Sequence, residues 1–165
     1  MNITLIGMPG SGKSSVGRVL ARRLGYAFLD VDPLIVDAYG KASLQEVLDS
    51  LGPQGFLDAE AEVVSSLLCE NTVLAPGGSA VLREKGALHL KELGPVVYLK
   101  LPCPVLEKRL WNLESRGVPL APGQTLEQLY ALRAPFYEKY ADLTVDADQP
   151  RIRDTVDKIL AALEL

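Results

Sequence analysis

The sequence predicts a three-layer α/β/α domain on a five-stranded parallel sheet, and two observations carry that reading. Short apolar runs alternate with helical stretches along the whole chain, the rhythm of a doubly wound domain. The first run, Asn2-Ile3-Thr4-Leu5-Ile6, leads straight into Gly7-Met8-Pro9-Gly10-Ser11-Gly12-Lys13-Ser14, which fits G-x-x-x-x-G-K-[S/T]. That motif needs a buried strand before it and a helix N-terminus after it, where the helix dipole favours an anion.

Ile3–Ile6 is mostly apolar, as a buried parallel strand should be. After the loop, Val16, Val19, Leu20 and Leu24 fall at helical spacing and Gly25 closes the helix Lys13–Leu24. Further strands are expected at Ala27–Asp30, Thr72–Ala75, 96–101 and 143–145. Further helices are expected at 33–39, 43–51, 55–69, 82–93, 104–115, 125–140 and 152–163. Ser43 with Glu46 three residues on is a capping box, and Pro53 and Gly55 separate the two helices around them. The 165 residues suit one domain over 1–165, with a helical acceptor-binding part at about 32–62 and a lid at about 114–125.

Bulk properties exclude several classes. A net charge of −4 argues against a nucleic-acid partner, and no apolar run is long enough for a membrane span. The N-terminus passes directly into strand and phosphate loop, leaving no room for a signal peptide, and Cys69 and Cys103 are lone thiols. A cytoplasmic location is therefore expected, with both cysteines in packing roles. His89 has no companion with which to build a zinc site. No obligate-dimer signal is visible, so a monomer is expected.

The loop carries the clearest chemistry. Gly10, Ser11 and Gly12 let successive backbone N–H groups turn toward phosphate oxygens, Lys13 reaches the β- and γ-phosphates, and the Ser14 hydroxyl suits Mg²⁺. Asp30 and Asp32 stand at the carboxyl end of the second strand, where ligands of open parallel sheets gather. One can serve Mg²⁺ and the other an acceptor hydroxyl; the competing reading is that Asp30 or Asp32 caps the following helix, with Pro33 at its first position. Pro76-Gly77-Gly78-Ser79 follows the third strand and can expose N–H groups to an anion or hydroxyl. The Gly/Pro-rich stretch 116–124 lies between two long helices, as a water-excluding lid would, and Arg116 opens it. Arg133 suits a carboxylate through its planar fork, although, taken alone, both it and Arg109 read as solvated helix residues.

Together these residues resemble the shikimate kinase family, nearly end to end. Gly7–Ser15 is similar to its phosphate loop, and Phe28-Leu29-Asp30-Val31-Asp32 to its second-strand motif. Gly77-Gly78-Ser79-Ala80-Val81 falls where the family has three glycines followed by Ala-Val. Arg133-Ala134-Pro135-Phe136-Tyr137 is similar to its Arg-x-Pro-x-Tyr signature, and Ala141-Asp142 with Val145-Asp146 to the stretch after it. The resemblance implies that Gly10 to Ser15 hold ATP phosphates and that Ser14 binds Mg²⁺ with Asp30 behind it. It further implies that Asp32 positions or deprotonates the acceptor, that Gly77, Gly78, Ser79 and Arg133 line the acceptor site, and that Arg116 is the lid arginine. By the same resemblance, Arg109 would pack on adenine with Pro150 nearby.

Departures lie on the acceptor side. The family has Phe-Arg-x-x-Glu, whose arginine grips the substrate carboxylate, whereas this chain reads Phe56-Leu57-Asp58-Ala59-Glu60. Ser79 replaces the third glycine, Pro76 a small polar residue, and Arg116-Gly117-Val118-Pro119 a direct Arg-Pro-Leu. The expected activity is ATP-dependent phosphorylation of a hydroxyl on a small carboxylate-bearing metabolite, with shikimate first. Leu57 keeps another hydroxy or amino acid such as homoserine as an alternative, and a non-catalytic nucleotide-binding regulator as an alternative of another class.

Overall fold

The protein is described from a computed structural model covering residues 1–110 and 120–165. Five strands, β1 (Ile3–Ile6), β2 (Ala27–Asp30), β3 (Thr72–Ala75), β4 (Val96–Lys100) and β5 (Leu143–Asp146), form one parallel sheet in the order β2-β3-β1-β4-β5. Burial follows position. β1 and β3 are buried throughout and β4 nearly so, while the edge strands β2 and β5 are only partly covered. The central strands accordingly read as continuous apolar runs, as strands covered on both faces must.

The helices are α1 (Lys13–Leu24), α2 (Asp32–Ala38), α3 (Leu44–Ser65), α4 (Glu84–Leu93), α5 (Cys103–Arg109), α6 (Leu126–Tyr140) and α7 (Ile152–Ala162). They flank the sheet in two packed groups: α1 against α7, and α3 against α4, which also meets α6. The core runs through Ile3, Leu5, Leu20, Leu74, Leu90, Val97 and Ile159, all essentially solvent-free. No helix among the described residues is long and apolar enough to cross a membrane.

Three local expectations change. The two helices expected over 43–51 and 55–69 are continuous as α3, kinked at Gly52, whose φ of 73° lies outside the helical region. Pro53 opens the second limb, so the missing N–H falls where a helix start leaves it unpaired anyway. The second limb also stops at Ser65, short of Cys69. Asp32 does not share a strand with Asp30: β2 ends at Asp30, and Asp32 is the first residue of α2, with no side-chain cap. The Ser43 cap is present, its side chain accepting from Glu46 N. Asp142, by contrast, is structural, accepting from Val96 N at 2.9 Å and from Lys91 Nζ at 2.9 Å.

Candidate active site

The strand order places β1 between β3 and β4, so chain direction diverges on either side of its carboxyl end. A crevice opens there, where open α/β sheets bind ligands. The loop from Gly7 to Gly12 fills its base. Gly10 and Gly12 have φ of 80° and 92°, left-handed values that a side chain disfavours, and Ser11 N donates to Met8 O at 3.1 Å. Gly12 is the N-cap of α1 and no side chain caps that helix, so its first-turn N–H groups face the crevice. Lys13 Nζ donates to Gly7 O at 2.8 Å and Met8 O at 2.9 Å. Burial lowers its ammonium to about 8, against the opposing pull of Asp32.

A cavity of about 640 Å³ runs from this loop toward α3. It gathers Gly10, Gly12, Lys13, Ser14, Ser15, Asp30, Asp32, Leu57, Gly77, Gly78, Ser79 and Arg133, the residues singled out in the sequence for phosphate, metal and acceptor. Asp30 is paired in register with Ala75, so the carboxyl ends of β2 and β3 deliver the acid and the glycine turn side by side. Asp30 Oδ1 accepts from Asp32 N at 3.2 Å, and Asp32 Oδ1 is buried with no hydrogen-bond partner among the described residues. Burial, reinforced by Asp30, raises the Asp32 carboxyl above its ordinary value. A carboxylate held this way can accept a proton from a hydroxyl near neutral pH.

The glycine turn is packed from two sides. A Cβ on Gly77 would lie 3.0 Å from Glu60 Oε2 and 3.2 Å from Asp32 Oδ1. One on Gly78 would lie 3.0 Å from Arg133 Nη1. Arg133 is only 6% exposed, which overturns its reading as a solvated helix residue. Tyr137, four residues on, donates to Gly78 O at 2.6 Å and stacks on Tyr98 with ring centroids 5.1 Å apart.

Glu60 matches the glutamate of the Phe-Arg-x-x-Glu pattern, but the sequence assigns it no role. It is 1% exposed, accepts from Ser79 Oγ at 2.6 Å, and burial pushes its carboxyl up to about 7 although the Ser79 bond opposes this. A signal existed: Phe56, Glu60 and Val64 recur at helical spacing on one buried face, and an acid on an apolar face calls for a partner.

A second cavity of about 240 Å³ lies across the phosphate loop, lined by Ser11, Gly12, Ser15, Arg109 and Pro150 among others. Arg109 Nη1 donates to Gly10 O at 3.3 Å, tying α5 to the loop. Arg116 and lid positions up to 119 lie outside the described residues. From Leu120 the chain turns at Ala121–Gln124 and enters α6 through a capping box of Thr125 with Gln128. The oxygen donors fit Mg²⁺: the Ser14 hydroxyl and Asp30 share the cavity, and Asp32 Oδ1 is an orphaned buried acceptor beside them. No cluster of three His, Cys, Asp or Glu side chains that could hold a metal ion occurs among the described residues.

A family model described as shikimate kinase matches residues 9–164. The chain belongs to the shikimate kinase family. A shikimate kinase from Symbiobacterium thermophilum is 37% identical, covering 99% of this chain and 97% of the relative. One from Ruegeria pomeroyi is 39% identical, covering 98% and 84%. Among solved structures, shikimate kinase from Acinetobacter baumannii in complex with shikimate superimposes with a TM-score of 0.87, at 34% identity over 99% of this chain and 92% of that one. A gluconokinase from Sinorhizobium meliloti gives 0.67, at 25% identity over 99% and 91%. As a shikimate kinase family member the chain is a phosphotransferase acting on a hydroxyl group, with ATP as donor.

Proposed function

We propose that this chain phosphorylates shikimate at a ring hydroxyl, forming shikimate 3-phosphate and ADP. The observation that carries this reading is a single cavity holding the phosphate-loop Lys13, the half-buried Asp32 and the buried Arg133. The shikimate held in the Acinetobacter baumannii relative supports the choice of acceptor.

Gly10, Ser11, Gly12 and Ser15 cradle the phosphates with backbone N–H groups, and Lys13 supplies a point charge to the transferring group. Arg109 and Pro150 flank the adenine in the second cavity. Ser14 would hold Mg²⁺ with Asp30 behind it, and the ion would supply neutralisation of phosphate charge. Asp32 takes the proton of the acceptor hydroxyl as its oxygen bonds to the γ-phosphorus and the bond to the ADP oxygen breaks. Arg133 grips the acceptor carboxylate, Gly77, Gly78 and Ser79 shape the floor, and Leu57 forms an apolar wall. Arg116 meets the transferring phosphate charge. The enzyme acts as a cytoplasmic monomer, where ATP and a small metabolite are both at hand.

ADP release coupled to shikimate, homoserine and gluconate tests the reading. Turnover strictly dependent on shikimate is the expected result. Turnover on homoserine or gluconate with none on shikimate would overturn it.

A further inference from the structure

Arg133 and Glu60 each approach one of two neighbouring glycines, yet they are not joined. Ideal Cβ atoms on Gly77 and Gly78 would each lie 3.0 Å from Glu60 Oε2 and Arg133 Nη1 respectively. Among the described residues no carboxylate lies within ion-pair distance of Arg133, and its Nε has no hydrogen-bond partner. A buried guanidinium beside a buried carboxyl should capture it, since a desolvated charge gains most from its nearest opposite. Something holds Glu60 elsewhere, and among the described residues its one side-chain hydrogen bond is from Ser79 Oγ at 2.6 Å.

Two sequence departures meet at this point. Position 57 lies one helical turn before Glu60 on α3, so an arginine there would be its neighbour and its natural partner. Leu57 cannot be. Position 79, glycine in the family pattern, carries here a hydroxyl that does bond Glu60. We infer that Ser79 is a positioning residue for acceptor binding: its hydroxyl holds the Glu60 carboxyl off Arg133 and so leaves the Arg133 fork open to the acceptor carboxylate. This rests on the proposed carboxylate-bearing acceptor, and it explains how the site works with Leu57 where a second cation would stand.

Without the hydroxyl, Glu60 turns to Arg133 and competes with the acceptor. The groups facing Glu60 are Lys13 from α1, Asp32 from α2, Arg133 and Tyr137 from α6 and Ser79 from the β3 turn. Ser79 sits at negative φ, so Ser79→Ala and Ser79→Gly should both fold. The test pairs shikimate kinetics with a carbon-13 NMR titration of Glu60 in the wild type and both variants. Expected results are a rise in shikimate KM of about tenfold with the ATP KM unchanged, and a Glu60 midpoint that falls because Arg133 now holds the carboxylate. A structural role for Ser79 alone gives the opposite titration: a lost hydrogen bond raises the midpoint. A raised or unmoved midpoint, or an unchanged shikimate KM, would sink the inference. If the wild type does not turn over shikimate, the proposed function fails, while the titration still decides the role of Ser79.

Discussion

Arg133 Nη1 lies so close to Gly78 that a Cβ at that position would sit 3.0 Å from it, 3.1 Å from Pro9 Cδ and 3.3 Å from Gly7 O. The guanidinium, the phosphate loop and the glycine turn are thus in mutual contact through one missing methyl group. Gly78→Ala must move at least one of them. The backbone oxygen cannot yield cheaply, so the arginine is displaced. Overpacking of this kind costs about 1–3 kcal/mol of stability. Acceptor KM should rise by about tenfold or more, since a charge-assisted fork carries about 1.5–3 kcal/mol. Thermal unfolding and steady-state kinetics check the two effects separately.

Asp32 combines an orphaned buried oxygen with a carboxyl raised by burial and by Asp30. In the role proposed for it, Asp32→Asn keeps the shape and removes the proton acceptor. kcat should fall by about 10²–10⁴, the usual contribution of a positioned base, with ATP binding little changed. The wild-type rate should decline on the acid side at a pH above the ordinary aspartate value of 3.8, and that limb should vanish in the variant. A rate–pH profile of both proteins, with nucleotide affinity measured in parallel, decides it.

Glu60 gives a prediction about folding rather than turnover. Burial raises its carboxyl from an ordinary 4.5 to about 7 in the folded state. The folded protein therefore holds that proton more tightly than the unfolded chain does. This contribution to stability is greatest below pH 4.5 and is lost as pH rises toward about 7. The full loss is of order 3 kcal/mol at a linkage of about 1.4 kcal/mol per pH unit. Glu60→Gln removes the titration, so its melting temperature between pH 5 and pH 8 should fall less than that of the wild type, as differential scanning calorimetry would show.

These residues also mark how far the sequence carries. The phosphate loop was legible because its chemistry is local: spacing, glycines and a following helix suffice, and Lys13–Leu24 is helical as the pattern of Val16, Leu20 and Gly25 predicts. Strand positions were legible because central strands in a parallel sheet must be apolar throughout. The acceptor side was less so. A lone arginine looks solvated, and only tertiary packing puts Arg133 at 6% exposure beside Gly78. Asp30 and Asp32 do converge on one cavity, but from a strand end and a helix start, because the chain turns at Val31. The break at Gly52–Pro53 is a kink rather than a separation, since Phe56 and Glu60 carry the second limb back onto the core and the site. Glu60 was hidden because its partner, Ser79, is 19 residues away in sequence.

Tyr137 ties the far side of the site together, and its hydroxyl is separable from its ring. The ring is fully buried against Tyr98, while the hydroxyl donates to Gly78 O at 2.6 Å and lies 3.8 Å from Met8 Sδ in the phosphate loop. Burial pushes the phenol up to about 12, so it remains a donor across the physiological range. Tyr137→Phe keeps the packing and leaves the Gly78 carbonyl without that donor, a loss of about 1–3 kcal/mol for a buried acceptor. The glycine turn then loses its anchor beside Arg133. Acceptor KM should rise several-fold while ATP KM holds, because the nucleotide contacts proposed above lie on Gly10 to Ser15. Equal effects on both substrates would mean that Tyr137 serves the whole fold rather than the acceptor side, and parallel KM measurements for shikimate and ATP distinguish the two.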